Sequence, residues 1–294
     1  MQYRNFGKTD LLTSVIGLGA GQIGDGKIQD ENFVGWFLNQ LVDRGINLID
    51  TARMYGLSEE RIGWHLSWRR KDFILSTKVG YDIPYQQDWT YDCVREGIEQ
   101  ALQRMRTDYI DILHLHSCSK EILQRGEAIE ALSAAKQAGK IRFMAYSGEN
   151  EDLEYALQTQ RFDAIQCSAN IFDQRGIDSY IKTAAEQGLG VIAKRPIGNA
   201  PWRYEKQPFG IYGEDYWLRM KAMNLPDLGS HWSEIALRFT AFTEGISACI
   251  VGTTNMQNVE KNIRILEKGK LSDDILKALQ DAFAEHGKEW EGRV

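Results

Sequence analysis

An eightfold alternation constrains this chain more than any other feature. Short apolar runs at 15–18, 47–50, 73–78, 109–116, 143–147, 164–167, 191–194 and 248–252 are separated by longer stretches of helical periodicity. The runs are rich in Ile, Val, Leu and Phe and span four to eight residues, which suits buried strands better than buried helices. Between them, 90–106 places Val94, Ile98, Leu102 and Met105 on one face, with Thr90 as N-cap and Asp92 in the first turn. Residues 127–138 do the same with Ile129, Leu132 and Ala135, and Gly139 ends that helix. Residues 233–242 carry Ile235, Ala236 and Phe239. A last helix at 272–285 has Ser272 as cap and Ile275, Leu276, Leu279 and Phe283 inward.

Strands alternating with helices call for parallel pairing through crossover helices. Eight such units in 294 residues fit an α/β fold, the closed (β/α)8 barrel; a doubly wound open sheet is the alternative. Residues 3–6 and 11–14 flank Gly7-Lys8-Thr9-Asp10 and read as an N-terminal hairpin closing the barrel bottom. Two segments exceed the repeat, 199–230 and the tail beyond 254. Long segments after barrel strands lie at the C-terminal face, where ligands bind. No low-complexity linker interrupts the chain, so one domain over 1–294 is expected.

Charge excludes some functions. With 35 Lys and Arg against 41 Asp and Glu, and no dense basic cluster, the chain does not read as a nucleic-acid binder. The strongest basic run, Trp68-Arg69-Arg70-Lys71, is followed by Asp72 and reads as a solvated helix end. No window of 18 apolar residues predicts a membrane span, and the start MQYRNFGKTD lacks a signal-peptide pattern. Cys93, Cys118, Cys167 and Cys249 form no CxxC pair. These features predict a reduced, cytoplasmic protein without structural zinc, monomeric unless it dimerises, acting on a small molecule.

Gly19-Ala20-Gly21-Gln22-Ile23-Gly24 matches GxGxxG after a strand. No periodic helix opens at the third glycine, so the match reads as a glycine-rich loop at the barrel mouth rather than a dinucleotide fingerprint. The chemistry lies at the strand ends. The second run ends on Asp50, with Tyr55 five residues on; the third ends on Lys78; the fourth carries His114 and His116 on one face. Asp50 as a helix cap, Tyr55 as a core ring and Lys78 as a surface lysine are the structural readings. A Schiff-base role for Lys78 is the rival chemistry, disfavoured because a nearby Asp50 keeps the amine protonated. The histidine pair lacks a third donor at metal spacing. His114, one layer deeper, reads as a hydrogen-bonded core residue. Four such residues at successive strand ends make a cluster: an ammonium stabilises phenolate, so Tyr55 can exchange a proton near neutral pH while Asp50 holds Lys78 and His116 orients a substrate oxygen.

The chain resembles the aldo-keto reductases over nearly its whole length. The resemblance is carried by GINLIDTARMYGLSEERIG (45–63), FILSTKVG (73–80), TDYIDILHLH (107–116), GKIRFMAYS (139–147), FDAIQCS (162–168) and ALRFTAFTEGISACIVGTTNMQNVEKN (236–262). It implies an NAD(P)H-dependent oxidoreductase interconverting aldehydes or ketones and alcohols, with Asp50, Tyr55, Lys78 and His116 as catalytic tetrad. Gly19, Ala20, Gly21 and Asp50 would lie beside the cofactor, and Ser147 and Gln166 would hold its carboxamide. Lys194, Arg195, Pro196, Ile197 and Gly198 would follow the pyrophosphate. Gly252, Thr253, Thr254, Asn258, Lys261 and Asn262 would hold the adenosine half, partly through a helix N-terminus. Ile23, Tyr81, Ser117 and Trp202 would approach substrate, Trp202 from an aromatic stretch (Trp202, Tyr204, Phe209, Tyr212, Tyr216, Trp217) that either lines a substrate pocket or packs on the barrel rim.

Two departures stand out. Ser147-Gly148 replaces a common Ser-Asn, leaving Asn150 as a substitute contact, and Lys194 stands where an aromatic ring often stacks on nicotinamide. Where NADP-selective members carry basic residues, this chain has Thr253, Thr254 and Asn258. The missing cations predict weak discrimination, with NAD(H) also used; family resemblance alone tilts the cofactor toward NADP(H). Potassium-channel β subunits resemble the same family, so a cofactor-binding, redox-sensing regulator with little turnover is the alternative.

Overall fold

A computed structural model describes residues 1–226 and 228–293. Strands β1 (Tyr3–Asn5) and β2 (Leu12–Ser14) form an antiparallel hairpin. Eight further strands follow: β3 (Ile16–Gly19), β4 (Leu48–Asp50), β5 (Ile74–Val79), β6 (Ile110–His116), β7 (Ile141–Ser147), β8 (Ala164–Ser168), β9 (Gly190–Lys194) and β10 (Ala248–Val251). They pair in parallel in chain order, and β10 closes on β3 to complete a barrel. Each expected apolar run is one of these strands, with ends shifted by a residue or two.

The connections are helical: α1 (Glu31–Asp43), α2 (Ser58–Leu66), α3 (Tyr91–Met105), α4 (Lys120–Arg125), α5 (Glu127–Gln137), α6 (Asn150–Gln158), α7 (Lys182–Gln187), α8 (Glu214–Met223), α9 (Trp232–Ala241), α10 (Met256–Glu267) and α11 (Asp273–His286). Thr90 caps α3 by accepting from the Cys93 amide, as its position predicts. Ser272 occupies the N-cap of α11, but its side chain makes no capping bond. The long segment 199–230 is not all loop. Its residues 214–223 form α8, whose Tyr216 is buried against Ile171 and Phe172; Asp227 in this segment lies outside the described residues. In the basic run at 68–71, Trp68 and Lys71 are exposed as expected of a solvated end, while Arg69 pairs with Asp43 and Asp72 and Arg70 with buried Asp111. Among the described residues no helix is long and apolar enough to cross a membrane.

Period-two alternation sorts each strand into two faces. On β6, Leu113 and Leu115 join the large core under the helices, while Ile112 joins an inner cluster. That inner cluster holds Leu48, Ile74, Ala164, Ile192 and Ala248 from the strand beginnings, with Phe6 and Leu11 from the hairpin. The hairpin thus plugs the barrel bottom with apolar side chains, each burial contributing about 1.5–3 kcal/mol. Gly190 makes room for the plug, since a Cβ there would stand 2.3 Å from the Phe6 ring. Above this plug the interior turns polar. Ser76, Lys78, His114, Asp50 and Gln166 are all buried, which is tolerable only because they bond to one another.

Candidate active site

Asp50 ends β4 and Lys78 lies near the end of β5, on the neighbouring strand. The Lys78 Nζ lies 2.6 Å from Asp50 Oδ2 and donates to the Thr51 carbonyl at 2.7 Å. Asp50 Oδ1 accepts from Ser76 Oγ at 2.7 Å and Gln166 Nε2 at 3.0 Å. Burial is the largest influence on Lys78 and opposes its charge, but Asp50 and then Tyr55 outweigh it, so its pKa is raised. Lys78 is therefore neither a surface lysine nor a free amine; it is a fixed buried ammonium.

Tyr55 follows β4 in a tight loop held by backbone bonds from Tyr55 N to Ala52 O and from Ser58 N to Tyr55 O. The Lys78 ammonium lies 5.2 Å from the centre of its ring. The glycine-rich loop seats this tyrosine. A Cβ on Gly21 would touch the ring at 3.7 Å, and one on Gly24 would lie 1.6 Å from the Tyr55 carbonyl oxygen. The GxGxxG spacing is thus used for chain-to-chain contact at its third glycine, while Gly19 and Gly21 line the cleft.

Register then sets a level plane. His116 of β6 pairs with Ser147 of β7, which pairs with Gln166 of β8. Ser147 Oγ donates to Gln166 Oε1 at 3.2 Å, continuing a polar chain from Ser147 through Gln166 to Asp50. His114 is fully buried one layer down, its Nε2 3.0 Å from Ser76 Oγ. Burial, and next the Lys78 charge, hold His114 well below its ordinary pKa and His116 at about 3. Both are neutral imidazoles at physiological pH.

This has a thermodynamic consequence. A histidine neutral in the fold takes up its proton only on unfolding, once pH falls below about 6.5. Its contribution is complete above that value and is lost as pH drops through the window down to about 3 for His116. Urea midpoints measured at successive pH values below 6.5 should fall more steeply for the wild type than for His116→Asn, by up to about 1.4 kcal/mol per pH unit. Equal slopes for the two proteins would contradict the depressed pKa.

One cleft of about 690 Å³ joins these residues. It is lined by Gly19, Gly21, Asp50, Tyr55, Lys78, His116, Ser117, Ser147, Gln166, Lys194, Arg195, Pro196, Ile197 and Gly252. Other expected residues stand elsewhere. Ala20 and Ile23 are buried behind the loop, their carbonyls bonded to Ser58 and Arg61. Gly198 packs under Phe172. Tyr81 lies against His116. Trp202 stacks on Trp232 in the rim cluster rather than facing the cleft; from the same segment it is Tyr212 that lines it. Thr253 and Thr254 precede α10 and Asn258, Lys261 and Asn262 lie within it, all outside the cleft lining.

Two expectations change. Asn150 is not free to replace a missing asparagine contact, because its side chain bonds the Gly292 amide and carbonyl and accepts from Arg175. Lys194 lines the cleft but is not a solvated, unpaired charge. Its Nζ lies 3.2 Å from buried Glu149, which also accepts from the Ser168 amide and from Tyr180. Burial lowers the Lys194 pKa despite this partner. Glu149 went unrecognised because it opens a helix and reads as an ordinary capping acid. Arg203 and Asn199 also line the cleft; they sit in the aromatic segment after β9, with no pattern to mark them.

A family model of the aldo/keto reductase family matches residues 15–283. An oxidoreductase of Bacillus subtilis (strain 168), YqkF, named as uncharacterized, is 28% identical over 95% of this chain and 96% of its own length. L-galactose dehydrogenase of Arabidopsis thaliana is 28% identical over 90% of this chain and 87% of its own. Among solved structures, the aldo-keto reductase AKR11C1 from Bacillus halodurans in its holo form superposes with a TM-score of 0.82 at 27% identity, covering 96% of both chains.

Proposed function

The chain belongs to the aldo/keto reductase family, and from that premise we propose an oxidoreductase that interconverts aldehydes or ketones and alcohols with NADP(H) or NAD(H). The carrying observation is the buried Lys78–Asp50 pair beside the Tyr55 ring, facing a neutral His116 across one cleft. That cleft suits an extended dinucleotide. It runs unbroken from the tetrad past Ser147 and Gln166 to Arg195 and Gly252. Arg195 and Arg203 have no carboxylate partner among the described residues and can meet phosphate. Helix α10 begins beside Gly252 with an Asn255 cap and no acid in its first turn, so its positive end is unopposed.

When bound, the cofactor supplies a hydride to the carbonyl carbon or accepts one from the alcohol. The protein handles the oxygen. Tyr55 gives its proton to the developing oxyanion, and Lys78 offsets the charge left behind. Asp50 keeps that ammonium charged and in place, and His116 holds the substrate oxygen. The relative named L-galactose dehydrogenase puts sugars in the first rank of substrates to try. A panel of sugars, aliphatic and aromatic aldehydes and ketones, read by nicotinamide absorbance with both cofactors, tests the reading. No turnover on any member, together with a stoichiometric membrane partner in a pull-down, would favour a regulatory role instead.

Cofactor choice gives a further prediction. Asn258 donates to Thr253 Oγ1 at 3.3 Å and offers no charge. Lys261 and Arg264, farther along α10, form no ion pair among the described residues and are the candidate cations for a 2′-phosphate. Asn258→Arg should raise the preference for NADPH over NADH by about 1–3 kcal/mol, the range for bonds to a charged group. Fluorescence titration showing the wild type already discriminating more than about a thousandfold would contradict this.

A further inference from the structure

Tyr81 stands three residues past Lys78, where β5 has ended, and its ring stacks on His116 with centroids 5.5 Å apart and planes 26° apart. The hydroxyl lies 3.0 Å from His116 Nδ1 and makes no other hydrogen bond among the described residues. Trp89 packs on Tyr81 in turn, centroids 5.4 Å apart. Gly80 makes that contact possible: its φ is +137°, and a Cβ there would collide with the Trp89 ring at 1.9 Å. The stack is a built support for one imidazole.

A neutral imidazole carries a single N–H, and its position decides whether the ring donates or accepts. His116 is neutral, as its burial and the nearby Lys78 charge require. Burial, and next the nearby Tyr55, push Tyr81 up, so its phenol keeps a proton to give. Two arrangements are then open. With the proton on Nδ1, the Tyr81 O–H has no acceptor and a bare lone pair on Nε2 meets the substrate oxygen, which repels it. With the proton on Nε2, Tyr81 donates to Nδ1 and the ring presents a donor to that oxygen. We propose that Tyr81 is a positioning residue that fixes His116 in its Nε2–H tautomer, so that the imidazole donates to the substrate oxygen. The inference rests on the proposed role of His116, but its test does not depend on turnover.

Nitrogen-15 NMR of protein labelled at histidine distinguishes a protonated from an unprotonated ring nitrogen, with His116 assigned by its loss in His116→Asn. The wild type should show Nδ1 unprotonated and Nε2 protonated at neutral pH. Tyr81→Phe keeps the ring and removes the donor, so the two nitrogen shifts should move toward each other as tautomers mix. Its kcat should fall about three- to tenfold, the worth of one neutral hydrogen bond, with cofactor affinity unchanged. A protonated Nδ1 in the wild type overturns the proposal outright, whether or not the variant folds. So does a tautomer that Tyr81→Phe leaves unchanged. Failure of every carbonyl substrate, with the wild-type Nε2–H signal present, would count against the oxidoreductase reading and not against this tautomer.

Discussion

Replacing Tyr55 with phenylalanine should lower kcat by about 10²–10⁴ while cofactor affinity stays near the wild-type value. The expectation comes from what the substitution spares. The loop bonds Tyr55 N to Ala52 O, Leu57 N to Gly24 O and Ser58 N to Tyr55 O are all backbone and do not use the hydroxyl. The approach of the Lys78 ammonium to the ring, 5.2 Å from its centre, survives too. Only the O–H disappears. If that proton neutralises the developing oxyanion, its loss raises the barrier by about 3–5 kcal/mol, the equivalent of the rate change. Steady-state kinetics on any turned-over carbonyl measure the first quantity, and quenching of protein fluorescence by cofactor measures the second. Near-normal turnover would remove Tyr55 from the chemistry and shift attention to His116 or a bound water.

The difference between what could and could not be read in advance follows the range of the interactions. Strands announce themselves locally, because a strand of a barrel is buried on both faces and must be continuously apolar. A polar residue interrupting such a run at its C-terminal end is therefore conspicuous, which is why Asp50, Lys78 and His116 could be picked out one at a time. Lys194 meets the same description, yet its partner Glu149 comes from the turn after β7, two strands away. Nothing in the local pattern links them, so the sequence suggests a phosphate contact for Lys194 and no carboxylate partner. Asn150 is a similar case. The tail around Gly292 that occupies its side chain is 142 residues distant. The aromatic segment after β9 is ambiguous for a different reason. Trp202, Tyr204, Phe209, Tyr212, Tyr216 and Trp217 follow no regular period, and only packing decides that Trp202 meets Trp232 while Tyr212 turns to the cleft. The glycine-rich loop shows a motif matched for the wrong cause: Gly24 is small because the Tyr55 backbone passes over it.

Lys78→Met should be the most destabilising change in the site, costing about 3–5 kcal/mol, because it leaves a buried carboxylate without its cation. Asp50 is 1% exposed, and its remaining donors, Ser76 and Gln166, are neutral. Asp50→Asn should cost a comparable amount by stranding the ammonium against the Thr51 carbonyl alone. The double variant Lys78→Met/Asp50→Asn carries no unpaired charge, so it should recover much of either loss, a coupling that denaturant midpoints of the four proteins measure. Buried ion pairs commonly do no better for stability than neutral replacements of similar volume. A double variant that folds nearly as well as the wild type yet turns over as poorly as Tyr55→Phe would show what the pair is kept for. On that outcome the pair serves to hold a fixed positive charge beside the Tyr55 ring rather than to stabilise the fold. Should the double variant instead retain turnover, the ammonium is a structural prop and the charge on the oxygen must be balanced from elsewhere in the cleft.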